Sequence, residues 1–127
     1  MAAPCAAIRS FLDAYGVGDV ATMRAWLADG FVGYVTNAAA GVDRVDGSDA
    51  YLARLPVLST AGATATITQS VQVAAEQALT MVEIEARRGT RELHNFGAFL
   101  SRHDGDGRIL EPWMVDARPA YSDEFWS

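Results

Sequence analysis

The 127-residue sequence contains no lysine and one cysteine, and each scarcity excludes a class of protein. The single Cys5 rules out an intramolecular disulfide. With ten arginines, a net charge of −6 and a pI near 4.7, the chain has no basic surface for nucleic acid. The densest basic stretch holds only Arg87, Arg88 and Arg91. We therefore expect no nucleic-acid partner.

Long apolar runs are also missing. No stretch approaches the length needed to cross a bilayer, so we expect no membrane association. The first ten residues, MAAPCAAIRS, lack the basic segment and apolar run of a secretory signal, which makes the cytoplasm the expected location. What is present is typical of a globular protein: 50% hydrophobic and 20% charged residues. This length and composition predict a single domain over residues 1–127.

The first half of the chain predicts three helices. Between Ala6 and Tyr15, apolar residues recur at the spacing of one helix face. Gly16 and Gly18 end this helix, and Asp19 is a good N-cap for a second helix that closes at Gly30. The apolar residues of the two helices are Ile8, Phe11, Leu12 and Tyr15, then Val20, Met23, Trp26 and Leu27.

Ser48 is predicted to cap a third helix, which ends or bends at Pro56. Two short β-rich runs precede it, from Phe31 to Thr36 and from Val42 to Val45.

From Gly62 onward the pattern changes to alternation. It predicts four long strands joined by short turns, of which Asp104-Gly-Asp-Gly107 is the strongest hairpin signal. Short turns make neighbouring strands antiparallel, and we expect the early strand to join an edge of this sheet. The predicted strands run over residues 63–74, 78–87, 91–102 and 108–117. The fold class is therefore α+β, with helices covering one sheet face.

The hairpin from Arg91 to Ala117 is where we expect the site. Apolar residues occupy both sets of alternating positions in this hairpin, which predicts that both of its faces are covered. The hairpin nevertheless carries polar residues, which need hydrogen-bond partners or a function if they are buried. These are His94, Asn95, Glu111 and Asp116. Two large aromatic residues, Phe125 and Trp126, lie among the last three residues of the sequence. Because chain ends usually fray, they predict a tail that docks as a lid or as a dimer contact.

The order of these elements, together with GRILEPWMVDARPAYSDEFW and the helix-ending GVGD, resembles the nuclear transport factor 2-like superfamily. This group includes ketosteroid isomerase, the SnoaL-type polyketide cyclases, limonene epoxide hydrolase and scytalone dehydratase. The resemblance implies a cone-shaped, curved mixed or antiparallel sheet covered by three N-terminal helices. It also implies a central pocket for a small-molecule ligand and a homodimer formed through the outer sheet face.

The same resemblance aligns this chain with known site positions. Phe99, Val35 and Phe11 stand where ketosteroid isomerase has its pocket acid, its base and its helix tyrosine. Met114, beside Trp113, stands where the cyclases and the epoxide hydrolase have an aspartate. We expect these five residues to contact a substrate.

Tyr15 and Tyr34 match the two water-holding tyrosines of scytalone dehydratase. By this match they donate hydrogen bonds to a substrate oxygen or a water. Core packing with satisfied hydroxyls is the alternative for both.

Asp116 is two residues after Met114 on the same strand, so both side chains point to the same face. Asp116 therefore faces the pocket if Met114 does. A carboxyl group in an apolar cavity can serve as a general acid or base. Alternatively, the strand bulges after Pro112 and Asp116 pairs at the rim with Arg118 or Arg91. Asn95 either orients a ligand oxygen or ties down neighbouring backbone.

Other titratable residues are expected to be structural. His94 is predicted at a surface or dimer interface, and His103 beside the turn is predicted to be solvated. Glu83 and Glu85 form either paired carboxylates inside the cone or one solvated strand face with Arg87 and Arg91 as partners. No spacing indicates a metal site, and we expect no cofactor.

These features predict a small-molecule pocket protein. The first hypothesis is a cofactor-free acid/base enzyme, a dehydratase, isomerase or cyclase, acting on a small, largely apolar organic substrate. Asp116, Tyr34 and Tyr15 would be its catalytic residues. The alternative is a non-catalytic ligand-binding or dimeric accessory protein of the same fold.

Overall fold

The computed structural model describes residues 3–55 and 62–127. Four helices and six strands follow one another in these ranges. The helices are α1 (Pro4–Val17), α2 (Val20–Ala25), α3 (Ser48–Arg54) and α4 (Pro119–Trp126). The strands are β1 (Val32–Thr36), β2 (Val42–Asp46), β3 (Thr64–Ala74), β4 (Gln77–Arg88), β5 (Arg91–His103) and β6 (Ile109–Asp116). The helix-ending role of Pro56 lies outside the described residues.

The predicted helix boundaries have clear local causes. Gly18 adopts a left-handed conformation, with φ of 74°, and ends α1. The Asp19 side chain then caps α2 by accepting a hydrogen bond from the backbone N–H of Thr22, at 3.1 Å. The N-cap of α3 is Gly47, one residue before the predicted Ser48.

The six strands form one mixed sheet in the order β2-β1-β6-β5-β4-β3. Strands β3 to β6 pair antiparallel with their neighbours along the chain. The early strand β1 lies parallel to β6, and β2 pairs with it at the sheet edge. This confirms the predicted α+β architecture with a mixed sheet, and the early strand β1 joins the β6 edge of the four later strands.

The two faces of the sheet differ in burial. On β5 the inward residue Phe99 is buried in one core with Ile8, Phe11 and Leu12 of α1, whereas Leu93 is buried in a second cluster with Phe125 of α4. The outward residues Phe96 and Leu100 are 48% and 41% exposed. The expectation that both faces of the hairpin are covered was therefore wrong for the described part of this chain, because helices lie on the inner face alone.

The aromatic tail forms helix α4, which the sequence patterns did not predict. Phe125 is buried against Ala63, Ala86 and Leu93. The Arg88 guanidinium donates to the Phe125 carbonyl at 2.9 Å, near the negative end of the helix. The Tyr121 hydroxyl donates to the Glu92 carbonyl, also at 2.9 Å. The tail thus docks on its own chain.

Within the described ranges, no helix is long and apolar enough to cross a membrane.

His103 corrects a prediction. It was expected to be solvated but is only 2% exposed, because β5 continues through it and its ring turns into the hairpin. Nδ1 lies 3.1 Å from the Gly107 carbonyl, to which it donates, and Nε2 lies 2.8 Å from Ser101 Oγ. Burial lowers the pKa of His103, outweighing the hydrogen bond to Gly107 and the nearby Asp104.

We predict that His103 makes stability depend on pH near neutrality. Above about pH 6.5 the imidazole is neutral in both the folded and the unfolded chain. As the pH falls toward the lower folded pKa, the unfolded chain binds the proton first, so the free energy of unfolding decreases. Denaturant unfolding between pH 7.5 and 5.5 should show this decrease, and His103→Gln should show a flatter dependence. Both proteins retain His94, so equal slopes would contradict the role of His103.

Candidate functional site

A cavity of about 430 Å³ lies between α1, the inner sheet face and α4. Its wall is largely apolar, and three of the five residues aligned with known site positions line it: Val35, Phe99 and Met114. Trp126 of α4 also contributes. The remaining apolar lining residues are Leu12, Ala65, Val82, Ile84, Leu93 and Pro119.

Asp116 lines this cavity at the end of β6. Its Oδ1 accepts hydrogen bonds from Asn95 Nδ2 and from the backbone N–H of Arg118, both at 2.7 Å. Its own backbone N–H donates to Thr36 Oγ1 at 2.9 Å. Three elements of the chain therefore fix the position of the carboxylate.

The alternative pairing of Asp116 with an arginine side chain is not observed in the described residues. The Arg118 guanidinium lies over the Tyr121 ring, 4.3 Å from its centroid. The Arg91 guanidinium contacts the Glu124 carbonyl at 3.3 Å. Asp116 is therefore held by uncharged donors, and no cationic side chain of the described residues pairs with it.

Asn95 lies behind the cavity wall, which corrects its interpretation as a residue that orients a ligand oxygen. It is 3% exposed and does not line the cavity. Nδ2 donates to Asp116 Oδ1 and to Ser122 Oγ, at 2.7 and 2.8 Å, while Oδ1 accepts from the Phe96 N–H at 2.9 Å. Asn95 is thus a positioning residue that joins β5, the carboxylate and α4.

The two tyrosines are not brought together. Tyr15 lines the cavity, and burial raises its pKa, so its hydroxyl remains a proton donor at neutral pH. Tyr34 lies on the outer face, stacked on Trp113 with ring centroids 4.1 Å apart. The prediction that Tyr34 and Trp113 face the pocket is therefore wrong.

Tyr34 and Trp113 lie on the outer face because successive side chains of a strand point to opposite faces of the sheet. Val35 and Met114 are paired neighbours and line the cavity, so the residues before them, Tyr34 and Trp113, point to the opposite face. Expecting Tyr34 and Val35 in one pocket conflicts with that geometry. Phe11 also does not line the cavity, because it is buried in the core at 2% exposure.

Sequence reasoning missed a polar group on the cavity wall. Asp43 and Arg54 form an ion pair at 2.7 Å, with side chains 40% and 38% exposed. Asn37 Nδ2 donates to Asp43 at 2.9 Å. This hydrogen bond and the Arg54 charge lower the pKa of Asp43. Asp43 lies on a short edge strand and Arg54 on a helix, so no sequence spacing connects them.

Glu83, Glu85 and His94 lie on the outer face, away from the cavity. Glu83 pairs with His94 and not with Arg87 or Arg91. Arg87 pairs instead with Glu92, and Arg91 contacts the Glu124 carbonyl. The solvated interpretation of the glutamates is the one that the structure matches. The three groups also offer metal-ligand atoms within 4.8 Å of one another. Cross-strand pairing brings His94 to the glutamates, which spacing along one strand does not reveal.

No protein-family model and no curated protein matches this sequence. Solved structures do match its fold. Bal32a, from a soil-derived mobile gene cassette, has a TM-score of 0.79 at 17% identity, over 96% of this chain and 95% of its own. An LEH-like epoxide hydrolase of Mycobacterium tuberculosis has a TM-score of 0.70 at 21% identity, over 96% of this chain and 88% of its own.

A third neighbour is RV0760c of Mycobacterium tuberculosis, solved in complex with estradiol-17β-hemisuccinate. Its TM-score is 0.70 at 17% identity, covering 91% of this chain and 94% of its own. At such identities the similarity concerns the fold.

We predict that Asn95 is essential for the integrity of this site. Asn95→Leu removes one of the two hydrogen bonds to Asp116 Oδ1, together with the bonds from Asn95 to Ser122 Oγ and from the Phe96 N–H to Asn95. It should lower the free energy of unfolding by about 1–3 kcal/mol. Denaturant unfolding measures this change. Ser122→Ala is the matched control, because it removes a single half-buried hydroxyl and should cost at most about 1 kcal/mol. An Asn95→Leu protein as stable as wild type would contradict the prediction.

Proposed function

We propose that this protein, which has the fold of the nuclear transport factor 2-like superfamily, binds a small, largely apolar organic molecule in its cavity. We further propose that it acts on this molecule by cofactor-free acid/base chemistry, as a dehydratase, isomerase or cyclase. The cavity volume and its apolar wall support the ligand class. A structural neighbour solved with a steroid ester supports an organic ligand of this kind.

The observation that carries the proposal is the Asp116 carboxylate on the apolar wall. In this role Asp116 removes a proton from the substrate and returns it at another atom. Such a base must be held in place while its charge stays available. The bonds from Asn95 and from the Arg118 N–H hold Oδ1, and no arginine or histidine side chain of the described residues neutralises the group.

Tyr15 supplies the second role. Its protonated hydroxyl on the same cavity wall is suited to donate to a substrate oxygen on which negative charge develops. Tyr34 is left out of this scheme, since its ring stacks on Trp113 outside the cavity.

A non-catalytic ligand-binding role is the second candidate. The observation in its favour is that the paired-tyrosine arrangement is incomplete, with Tyr15 inside the cavity and Tyr34 outside. A single hydroxyl and a carboxylate also suffice to orient a bound molecule without chemistry.

We predict that Asp116→Asn separates the two candidates. Compounds that co-purify, or that raise the Tm in a ligand screen, serve as substrates in a mass-spectrometric turnover assay. Loss of the proton carrier should lower turnover by about 10²–10⁴-fold while binding and Tm stay near wild type.

Tyr34→Phe is the matched control, and its turnover should equal that of wild type because its hydroxyl lies outside the cavity. If Asp116→Asn retains full turnover, the catalytic role of Asp116 is refuted. If wild type binds compounds and converts none, the binding-protein candidate is favoured.

The outer sheet face supports the proposal of a homodimer. Phe96, Leu100, Trp113 and Val115 are 48%, 41%, 39% and 49% exposed on neighbouring strands β5 and β6. Contiguous apolar surface of this kind is typical of an interface. Light scattering should therefore find a dimer, and Leu100→Arg should shift it toward monomer. A wild-type monomer at high concentration would contradict the dimer.

A further inference from the structure

The charges on the cavity wall are unbalanced. Four side chains with formal charge line it: Asp43, Arg54, Asp116 and Asp123. Asp43 and Arg54 neutralise each other at 2.7 Å. Asp116 and Asp123 remain, and neither forms a salt bridge within residues 3–55 and 62–127.

Three arginines that contact α4 are engaged with groups other than these carboxylates. Arg118 lies over the Tyr121 ring, and Arg88 and Arg91 contact carbonyls at the C-terminal end of α4. Among the described residues the cavity therefore presents two carboxylates without an ion-pair partner, in a protein whose net charge is already −6.

The apolar part of the wall makes these charges more effective. Attraction between opposite charges is several times stronger beside a low-dielectric wall than in bulk water. The wall also presents the aromatic rings of Tyr15, Phe99 and Trp126, whose faces attract cations. The same carboxylates repel an anionic ligand.

From these charges we infer that the cavity takes a hydrophobic amine, an apolar molecule carrying one protonated nitrogen. This inference rests on the proposed function and specifies its substrate class. Asp123 is an exposed residue of α4 that lines the cavity, and in this inference it is the partner of the ammonium group. Asp116, held by Asn95 and the Arg118 N–H, remains the proton carrier.

Three probes that share one naphthalene ring system test the inference: the amine 1-naphthylmethylamine, the alcohol 1-naphthylmethanol and the carboxylic acid 1-naphthaleneacetic acid. Their affinities for the full chain are measured by isothermal titration calorimetry at pH 7 and low salt. The amine should bind about tenfold more tightly than the alcohol, which corresponds to one favourable charge interaction beside an apolar wall. The acid should bind more weakly than the alcohol.

Two variants assign the effect to the cavity. Asp123→Asn should reduce the affinity for the amine to that for the alcohol. Asp29→Asn is the control, because it makes the same change in net charge at an exposed position that does not line the cavity. It should leave the preference for the amine unchanged.

The outcomes separate this inference from the proposed function. Equal affinity for the three probes, or a preference for the acid, overturns the amine class while leaving an organic ligand in place. A preference for the amine that survives in Asp123→Asn also overturns it. No binding of any probe overturns both proposals.

Discussion

The side chain of Asn95 is the connection on which the candidate site depends. Its amide reaches Asp116 at 2.7 Å and Ser122 at 2.8 Å, so one group positions both the carboxylate and the helix that walls the cavity. At 3% exposure it has little access to water, which cannot readily replace these bonds. Arg88 and the buried Phe125 anchor the far end of α4. Cavity wall and carboxylate are therefore set by the same contacts.

Strand alternation determines which chemistry remains. Because Val35 and Met114 line the cavity, Tyr34 and Trp113 are on the outer face, where their stacked rings join the exposed apolar surface. The cavity keeps Asp116 and Tyr15, an ion pair of Asp43 and Arg54, and the carboxylate of Asp123. One sheet thus lines the cavity on one side and presents a candidate interface on the other.

The sequence predicted the elements of this fold well and the contacts of the site less well. Alternation and turn residues located β3 to β6, and the shared alternation of Met114 and Asp116 placed both on the cavity wall. The partners of Asn95 come from β6 and α4, which no local pattern connects. His103 was misjudged because its burial depends on the Gly107 carbonyl across the hairpin turn. Long-range pairing decides such details, whereas periodicity reports only local structure.

A crystal structure with a bound cavity ligand tests the central claim most directly, which is that Asp116 faces a bound organic molecule. The account predicts a ligand between α1, α4 and the inner sheet face, with a polar atom about 2.6–3.2 Å from the Asp116 carboxylate. A ligand on the outer sheet face, or one in the cavity with Asp116 turned away from it, would contradict the account.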